Sequence, residues 1–345
     1  MRAAILENGV VRIQDVPVPS PRADEALVRI TAAGVCHSDL HLVRGDWPAS
    51  YSVRGASRLG HEGVGIVDAL GPGAERFVAI GDRVILGLGG NGGGYWCGAC
   101  EHCLGGRPRL CKDAKGIIGT YAEFIRLWAP SLVKLPAEVS DREVPLACGG
   151  LTAYSAVKKL LRHQVSPGKP IAIIGAAGGL GHYAVQIANA FGYKVIGVDV
   201  GAEKLAFVRS LGAAEAVSVE EATALVKGKY GGTYASLVFS PRISGFELGM
   251  KLLRRGGVFV SVGMPPASEG KLQLSPLDLL GKDPLIMGSA VGTVEEMREL
   301  VALAADGRVK THVGRVGALS ELEKILGELE TGAYAGRAVI EDLAT

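Results

Sequence analysis

No stretch of this chain reaches the roughly 18 consecutive apolar residues that a membrane-spanning helix needs, so no transmembrane segment is expected. An apolar leader core is missing too. Glu7, Arg12 and Asp15 interrupt the short runs of MRAAILENGVVRIQDVP, and no secretory signal is expected. Neither sign of charge is in excess. The 37 basic and 35 acidic residues leave a formal +2, which argues against nucleic acid and against a cationic partner. Cysteine is sparse, with six in 345 residues, which does not suit a disulfide-stapled secreted scaffold. Low hydrophobicity and high charge are both absent (48% apolar, 21% charged), and this excludes disorder as the main theme. A cytoplasmic protein of enzyme size is the expectation. At roughly 150 residues per domain, its length suggests about two domains.

Glycine is abundant: 50 residues, about twice the ordinary ~7%. With no collagen period, that surplus points to tight turns and close backbone approaches. The first 150 residues read as mostly β, with EALVRITAAG, GVGIVDALG, DRVILGL and YAEFIRLW as short runs punctuated by Gly, Pro and Asp. A partly closed antiparallel β domain with chemistry on its loops is expected. Near residue 150 the pattern changes. LTAYSAVKKLL reads helical and SPGKP breaks it. The strands IAIIG, KVIGVDV, AEAVSV, ASLVFS, GGVFVSVG and PLIMGSA then follow. The helical stretches LGHYAVQIANAFG, EKLAFVRSLG and GFELGMKLLR lie among them. Such alternation means βαβ units and a parallel sheet, an α/β fold. The tail from TVEEMRELVALAADG mixes a helix with short strands.

The strand at 171–175 feeds GAAGGLG (175–181), which opens a helix. Small residues there let backbone approach a pyrophosphate, and the helix start offers free N–H groups and a positive dipole end. Candidate phosphate contacts are Gly175, Ala176, Gly178, Gly179, Leu180 and Gly181. Read back from Gly181, alanine fills the first glycine position of G-x-G-x-x-G, which is tolerable if φ is negative there. Asp199 lies eighteen residues past Gly181, at the end of the next strand. An acid there binds a ribose 2′-hydroxyl and repels a 2′-phosphate, favouring NAD over NADP. Its plain alternative is a solvated loop aspartate. Lys204 is a candidate ribose contact or a solvated helix-start lysine.

Cys97-x2-Cys100-x2-Cys103-x7-Cys111 has the spacing of a closed tetrahedral zinc site. The spacing differs from the usual ferredoxin runs. Cys36 and Cys148 remain, and GHEGVG places His61 beside Glu62. Two thiolates and an imidazole would leave a fourth zinc position open, the pattern of a catalytic site. Taken singly, the cysteines also read as small buried apolar residues and His61 as a hydrogen-bonded core histidine.

CHSDLHLVRGDWP (36–48), GHEGVG (60–65), CGACEHCLGGRPRLC (97–111), ACGGLTAY (147–154) and IGAAGGLG (174–181) occur in that order, and GRAVI follows near the C-terminus. Together they resemble the zinc-dependent alcohol dehydrogenases of the medium-chain dehydrogenase/reductase family over nearly the whole chain. Yeast-like and bacterial members resemble it most. The resemblance implies a GroES-like β-barrel catalytic domain (1–154), a Rossmann doubly wound parallel sheet domain binding NAD (155–285), and a return to the catalytic domain (286–345). The active site would lie in the cleft between them. Two Zn²⁺ per chain are implied, a catalytic one on Cys36, His61 and Cys148 with Glu62 as an occasional ligand, and a structural one on the four clustered cysteines. Asp39 would orient His61, its plain alternative being a helix-start aspartate.

The same resemblance implies reversible oxidation of primary alcohols, with secondary and aromatic alcohols as further candidates. A hydride would pass from a zinc-held alkoxide to NAD⁺. Ser38 would take the alcohol proton, which would leave through the cofactor ribose and His41. His37 and Arg337 would contact the pyrophosphate and Thr152 the nicotinamide ring. Backbone near Val262 and Gly263, and from Ser289 to Val291, would hold the carboxamide. Trp47 would line an apolar substrate pocket. Departures from the family pattern are the glycine-rich run 87–94 with Tyr95 and Trp96 after it, a short KGIIGTYAEF segment, and Arg54 and Arg58 where relatives are apolar. A homodimer or homotetramer is implied, built by sheet pairing near 284–290. The partners would be a small alcohol, aldehyde or ketone, with no nucleic acid and no membrane. A polyol dehydrogenase or an NADPH-preferring aldehyde reductase of the same family is an alternative. A non-catalytic structural or binding relative is the alternative from another class, and zinc content separates it from an enzyme.

Overall fold

The chain begins with Arg2–Glu7 and Val10–Asp15, two strands joined by Asn8 and Gly9 at φ +52° and +78°. Two consecutive residues at positive φ match the right-handed twist of a two-residue hairpin, and Asn-Gly is the sequence that adopts it most readily. The computed structural model describes residues 1–46, 57–86 and 94–345. The chain divides into two compact units, Met1–Leu151 with Val291–Thr345, and Thr152–Ala290. The second unit runs past residue 285 because Leu285–Gly288 pairs as a strand of its sheet.

In the first unit the strand Glu25–Val35 is the spine. It pairs antiparallel with Glu62–Leu70, Phe124–Trp128 and Arg337–Asp342. Arg83–Leu86 and Val133–Lys134 extend the sheet on one side, and Val313–Ala318 joins parallel to Arg337–Asp342 on the other. Val28, Val84, Leu86, Tyr121 and Ile340 are among its fully buried core residues. Two registers bear on the site. Gly34 faces Glu62, and Val35 faces Ala338. His61 therefore lies at the level of the Val35–Ala338 rung, and Cys36 and Arg337 sit one residue beyond it. The C-terminal segment carries a second helix, Leu322–Thr331, besides the one at Val294–Ala305.

In the second unit six parallel strands run in the spatial order Glu215–Ser218, Lys194–Asp199, Pro170–Ile174, Thr233–Val238, Leu253–Ser261, Leu285–Gly288. Numbered along the chain this is 3-2-1-4-5-6, the doubly wound order, and its switch point lies beside the first strand. Parallel neighbours require crossovers. One crossover, the helix Val219–Tyr230, is absent from the sequence reading. Its end signals are present: Ser218 Oγ accepts from the Glu221 N–H at 3.3 Å, and Gly231 closes the helix at φ +65°. Its apolar face is narrow, with Ala222 and Val226 buried, and Gly228 weakens the pattern. Among the described residues no helix is long and apolar enough to cross a membrane.

Candidate metal centres and dinucleotide turn

Cys36 starts the helix His37–Arg44, whose first turn contains Asp39. One oxygen of Asp39, Oδ2, accepts the Cys36 N–H at 3.1 Å. The other, Oδ1, lies 3.0 Å from Nδ1 of His61. The helix-start reading of Asp39 and the histidine-orienting reading therefore describe one carboxylate doing both. Asp39 is fully buried and His61 nearly so. With Nδ1–H donated to Asp39, the Nε2 lone pair is left to act, and Nε2 is buried with no hydrogen-bond partner.

A ligand atom from each of Cys36, His61, Glu62 and Cys148 lies within 4.8 Å of the others. A buried imidazole nitrogen without a partner, facing two sulfurs, is costly unless something fills the gap. The donor set fits Zn²⁺: borderline-soft, with sulfur and nitrogen ligands and room for one more. Protonation follows the same crowding. Hydrogen bonding from Cys148 holds the Cys36 thiol well below its ordinary value, while Cys148 itself is pushed up by that same contact. Burial opposes a charged His61, yet Asp39 and the Cys36 sulfur together raise it well above the usual imidazole value.

Glu62 reaches across Gly34. A Cβ at Gly34 would fall on Glu62 Oε2, so only glycine lets the carboxylate pass. Its Oε1 pairs with Arg337, and both residues are buried. Burial raises Glu62 to about 7 against the pull of the guanidinium. Oε2 has no hydrogen-bond partner. Arg337 thus meets a carboxylate as well as being the residue expected at a pyrophosphate. Ser38 Oγ is 3.7 Å from the Cys36 sulfur. His41 turns Nδ1 to Asp46 Oδ2 at 2.9 Å, a partner that the sequence reading did not include. His37 is exposed at the helix start. Trp47 and Arg54 lie outside the described residues, as does 87–93 of the glycine-rich run. Arg58 is half-buried on the short strand Ser57–Arg58.

The four-cysteine lobe has its sulfurs 3.5 Å apart for Cys100–Cys103 and Cys97–Cys111, and 4.0 Å apart for Cys97–Cys103. A tetrahedron with Zn–S bonds of about 2.3 Å has edges of about 3.8 Å, so the cluster fits a closed zinc site. Backbone amides of Ala99 and Cys100 lower Cys97 to about 6, toward the thiolate that a metal needs. An antiparallel bridge between Tyr95 and Lys115 ties the lobe's two ends, and Trp128 packs edge-on against Tyr95 and Trp96.

In the second unit the strand Pro170–Ile174 enters the glycine turn and the helix Gly181–Ala190 leaves it. Positive φ falls on Gly175 (+79°), and Ala176 is not among the positive-φ residues. A Cβ on Gly181 would collide with the Gly175 carbonyl and Ala176, which closes the turn on itself. Gly178 meets only the Gly175 carbonyl, so its backbone is open to approach. Asp199 ends the next strand, where its carboxylate accepts the Ala177 N–H and the Val200 N–H, each at 2.8 Å. These bonds fix the carboxylate beside the turn and leave lone pairs for hydroxyl donors. Lys204 is exposed in the helix Ala202–Ser210. Thr152, Val262 and Ser289 are buried. Gly263 presses on the Ser240 carbonyl, where no side chain fits. Lys159 Nζ donates to Ser289 Oγ at 2.7 Å and to the Gly288 carbonyl at 3.2 Å, a tether that sequence pattern did not reveal. Val291 has φ +47°, a strained conformation for a β-branched residue.

Comparison with known proteins agrees with this geometry. The alcohol dehydrogenase GroES-like domain model matches residues 22–137, and the zinc-binding dehydrogenase model matches residues 179–306. An alcohol dehydrogenase of Geobacillus stearothermophilus is 37% identical over 99% of both chains. The crystal structure of the alcohol dehydrogenase from the hyperthermophilic archaeon Aeropyrum pernix superposes with a TM-score of 0.88 at 35% identity, covering 99% of this chain and 100% of that one. A cobalt- and zinc-bound thermostable alcohol dehydrogenase from Pyrobaculum aerophilum does so at 0.85 and 28% identity over 99% of both. With two sulfurs and an imidazole converging, a four-sulfur lobe and a glycine turn on a doubly wound sheet, this chain belongs to the zinc-type alcohol dehydrogenases of the medium-chain dehydrogenase/reductase family and is an oxidoreductase.

Proposed function

We propose that the chain is an NAD-dependent alcohol dehydrogenase with two Zn²⁺, one on Cys36, His61 and Cys148 and one on Cys97, Cys100, Cys103 and Cys111. The observation that carries this is the buried, partnerless His61 Nε2 facing the Cys36 and Cys148 sulfurs. When bound, zinc supplies Lewis acidity that acidifies an alcohol, and the nicotinamide accepts the hydride. The chain's own residues do the rest. Cys36, His61 and Cys148 fix where the substrate oxygen is held, and Glu62, kept close by Arg337, is the spare ligand. The Ser38 hydroxyl receives the alcohol proton. His41, with Nδ1 2.9 Å from Asp46 Oδ2, hands it to water. Gly175, Ala176, Gly178, Gly179, Leu180 and Gly181 offer backbone to a pyrophosphate, with His37 and Arg337 adding charge. Thr152 supports the nicotinamide ring. Backbone of Val262 and Gly263, and of Ser289 to Val291 steadied by Lys159, holds the carboxamide. Self-association through the edge strand Leu285–Gly288 is supported by its exposed Leu285 and Ile286 and by Leu277 and Leu280, 77% and 82% exposed on the adjoining helix Pro276–Lys282.

The test is NADH formation by purified protein with ethanol, butanol, benzyl alcohol, 2-butanol, cyclohexanol and sorbitol. NAD⁺ and NADP⁺ are run in parallel, with and without a zinc chelator. Turnover with NAD⁺ that chelation abolishes is expected. Full zinc loading with no turnover of any alcohol would overturn the reading.

Asp199 sets the cofactor preference in this proposal. Asp199→Asn keeps an oxygen for the Ala177 amide but removes the charge. Ribose hydrogen bonds to a charged acceptor are worth ~1.5–3 kcal/mol, so kcat/KM for NAD⁺ should fall about tenfold or more. The value for NADP⁺ should hold or rise, since the repulsion of a 2′-phosphate is gone. An unchanged NAD⁺/NADP⁺ ratio would remove Asp199 from the ribose.

A further inference from the structure

Tyr121 is fully buried, and the mechanism above makes no use of it. It lies in the segment that follows the cysteine lobe. Its hydroxyl is 2.8 Å from Asp39 Oδ2 and 3.1 Å from the Gly34 carbonyl. A phenol has one proton to give, and the shorter contact to a charged oxygen is the stronger. Burial first, and the Asp39 carboxylate second, keep this phenol well above its ordinary value, so it stays a donor.

Tyr121 is anchored on both sides of its ring. Its N–H donates to the Leu59 carbonyl at 3.1 Å, and its carbonyl accepts the Ala4 N–H at 2.8 Å. The ring lies flush against Gly60, where a Cβ would come within 2.7 Å of Tyr121 Cγ; Gly60 has φ +90° and immediately precedes His61. One side chain thus touches the segment that presents His61, the helix that presents Cys36 and Asp39, and the strand end at Gly34. Asp39 is a buried carboxylate holding three donors: the Cys36 N–H, the Tyr121 O–H and the His61 Nδ1–H. Two of the three come to the same oxygen, Oδ2. They fix the carboxylate plane so that Oδ1 faces the imidazole.

We infer that Tyr121 is a positioning residue for the catalytic zinc, acting through Asp39 to hold the His61 ring with Nε2 aimed at the metal. The inference rests on the zinc site proposed above. Losing a group that hydrogen-bonds a ligand directly, as Asp39 does, typically costs 10–100-fold in metal affinity, and Tyr121 stands one step behind it, so about tenfold or less is expected. Loss of the hydroxyl leaves Oδ2 with only the Cys36 amide, and the carboxylate is freer to rotate.

The experiment compares wild type with Tyr121→Phe, which removes one oxygen atom and keeps the ring. Both holoenzymes are mixed with a chromogenic zinc chelator, and the release of each ion is followed with time. The same proteins are reconstituted with Co²⁺, whose visible absorption reports ligand geometry, and their thermal unfolding is recorded as a check on folding. In the variant, one ion should leave about three- to tenfold faster, below the range for a direct partner of a ligand, and the other at the wild-type rate. The cobalt band of the faster site should shift, and kcat should fall with KM for NAD⁺ unchanged. If wild type carries two ions and Tyr121→Phe releases both at wild-type rates with an unaltered cobalt spectrum, Tyr121 only packs and this inference is wrong. If wild type holds metal on the four-cysteine lobe alone, the proposed catalytic site is wrong and takes this inference with it.

Discussion

Cys148→Ala should lower kcat/KM by on the order of a thousandfold while one zinc per chain stays bound. Cys148 is the best ligand to remove. Loss of His61 would leave Asp39, a fully buried carboxylate, without its Nδ1–H donor, and that damages folding as well as chemistry. Loss of Cys36 would alter the N-terminus of the helix His37–Arg44. Cys148 is half-buried and precedes the helix Gly149–Arg162, so removing its sulfur deletes little else. Lewis-acid stabilisation is worth several kcal/mol, and about 1.4 kcal/mol is a factor of ten in rate. Paired measurements of zinc per chain and steady-state rate decide the matter. A variant that keeps two ions and more than about a tenth of wild-type activity would remove Cys148 from the site.

Cys111→Ser should act on stability instead. Cys111 is buried, accepts the Cys97 N–H at 3.5 Å and has its sulfur 3.5 Å from that of Cys97. The lobe has little apolar core of its own: Leu104 and Leu110 are exposed, and its short helix Glu101–Leu104 buries no residue. On the proposed reading, metal is therefore the main tie within it. Structural zinc contributes ~10–16 kcal/mol in small finger peptides. Forfeiting even ~4 kcal/mol, at about 2–4 °C per kcal/mol for a unit of this size, lowers the thermal midpoint by on the order of 10 °C. Protease cleavage within 97–111 should quicken, and zinc should fall to one ion per chain. A wild-type midpoint together with two ions would show that the lobe stands without its tetrahedron.

The two variants separate two kinds of metal dependence, and they rest on different amounts of sequence information. The lobe is local. Three cysteines at intervals of three residues and a fourth eight residues on are close enough in the chain that few folds could keep them apart. The glycine turn is local in the same way. A strand, small residues and a helix start in sequence leave the backbone few conformations, and the structure needed only to move the positive φ onto Gly175. Where local signals were weak, elements were lost. The helix Val219–Tyr230 buries a thin face and contains Gly228, and the Asn8–Gly9 hairpin joins two short strands of which the second is largely exposed.

The proposed catalytic constellation is of another kind. Residue types and order suggested it by family likeness, but nothing in the chain around Cys36 points to His61, Cys148 or Arg337. What brings them together is strand register: Gly34 opposite Glu62 and Val35 opposite Ala338 place Cys36, His61 and Arg337 around one rung. Side-chain packing then decided what pattern could not, including the Tyr121 hydroxyl on Asp39, the passage of Glu62 over Gly34, the Lys159 tether on Ser289 and the strain at Val291. The sequence by itself determined most of the strands and helices, where the four sulfurs gather and where the glycine turn forms, because those depend on neighbours within a few residues. Only the tertiary structure decided which orphaned nitrogen faces which sulfur, because that depends on atoms up to hundreds of residues apart, brought together by sheet pairing and burial.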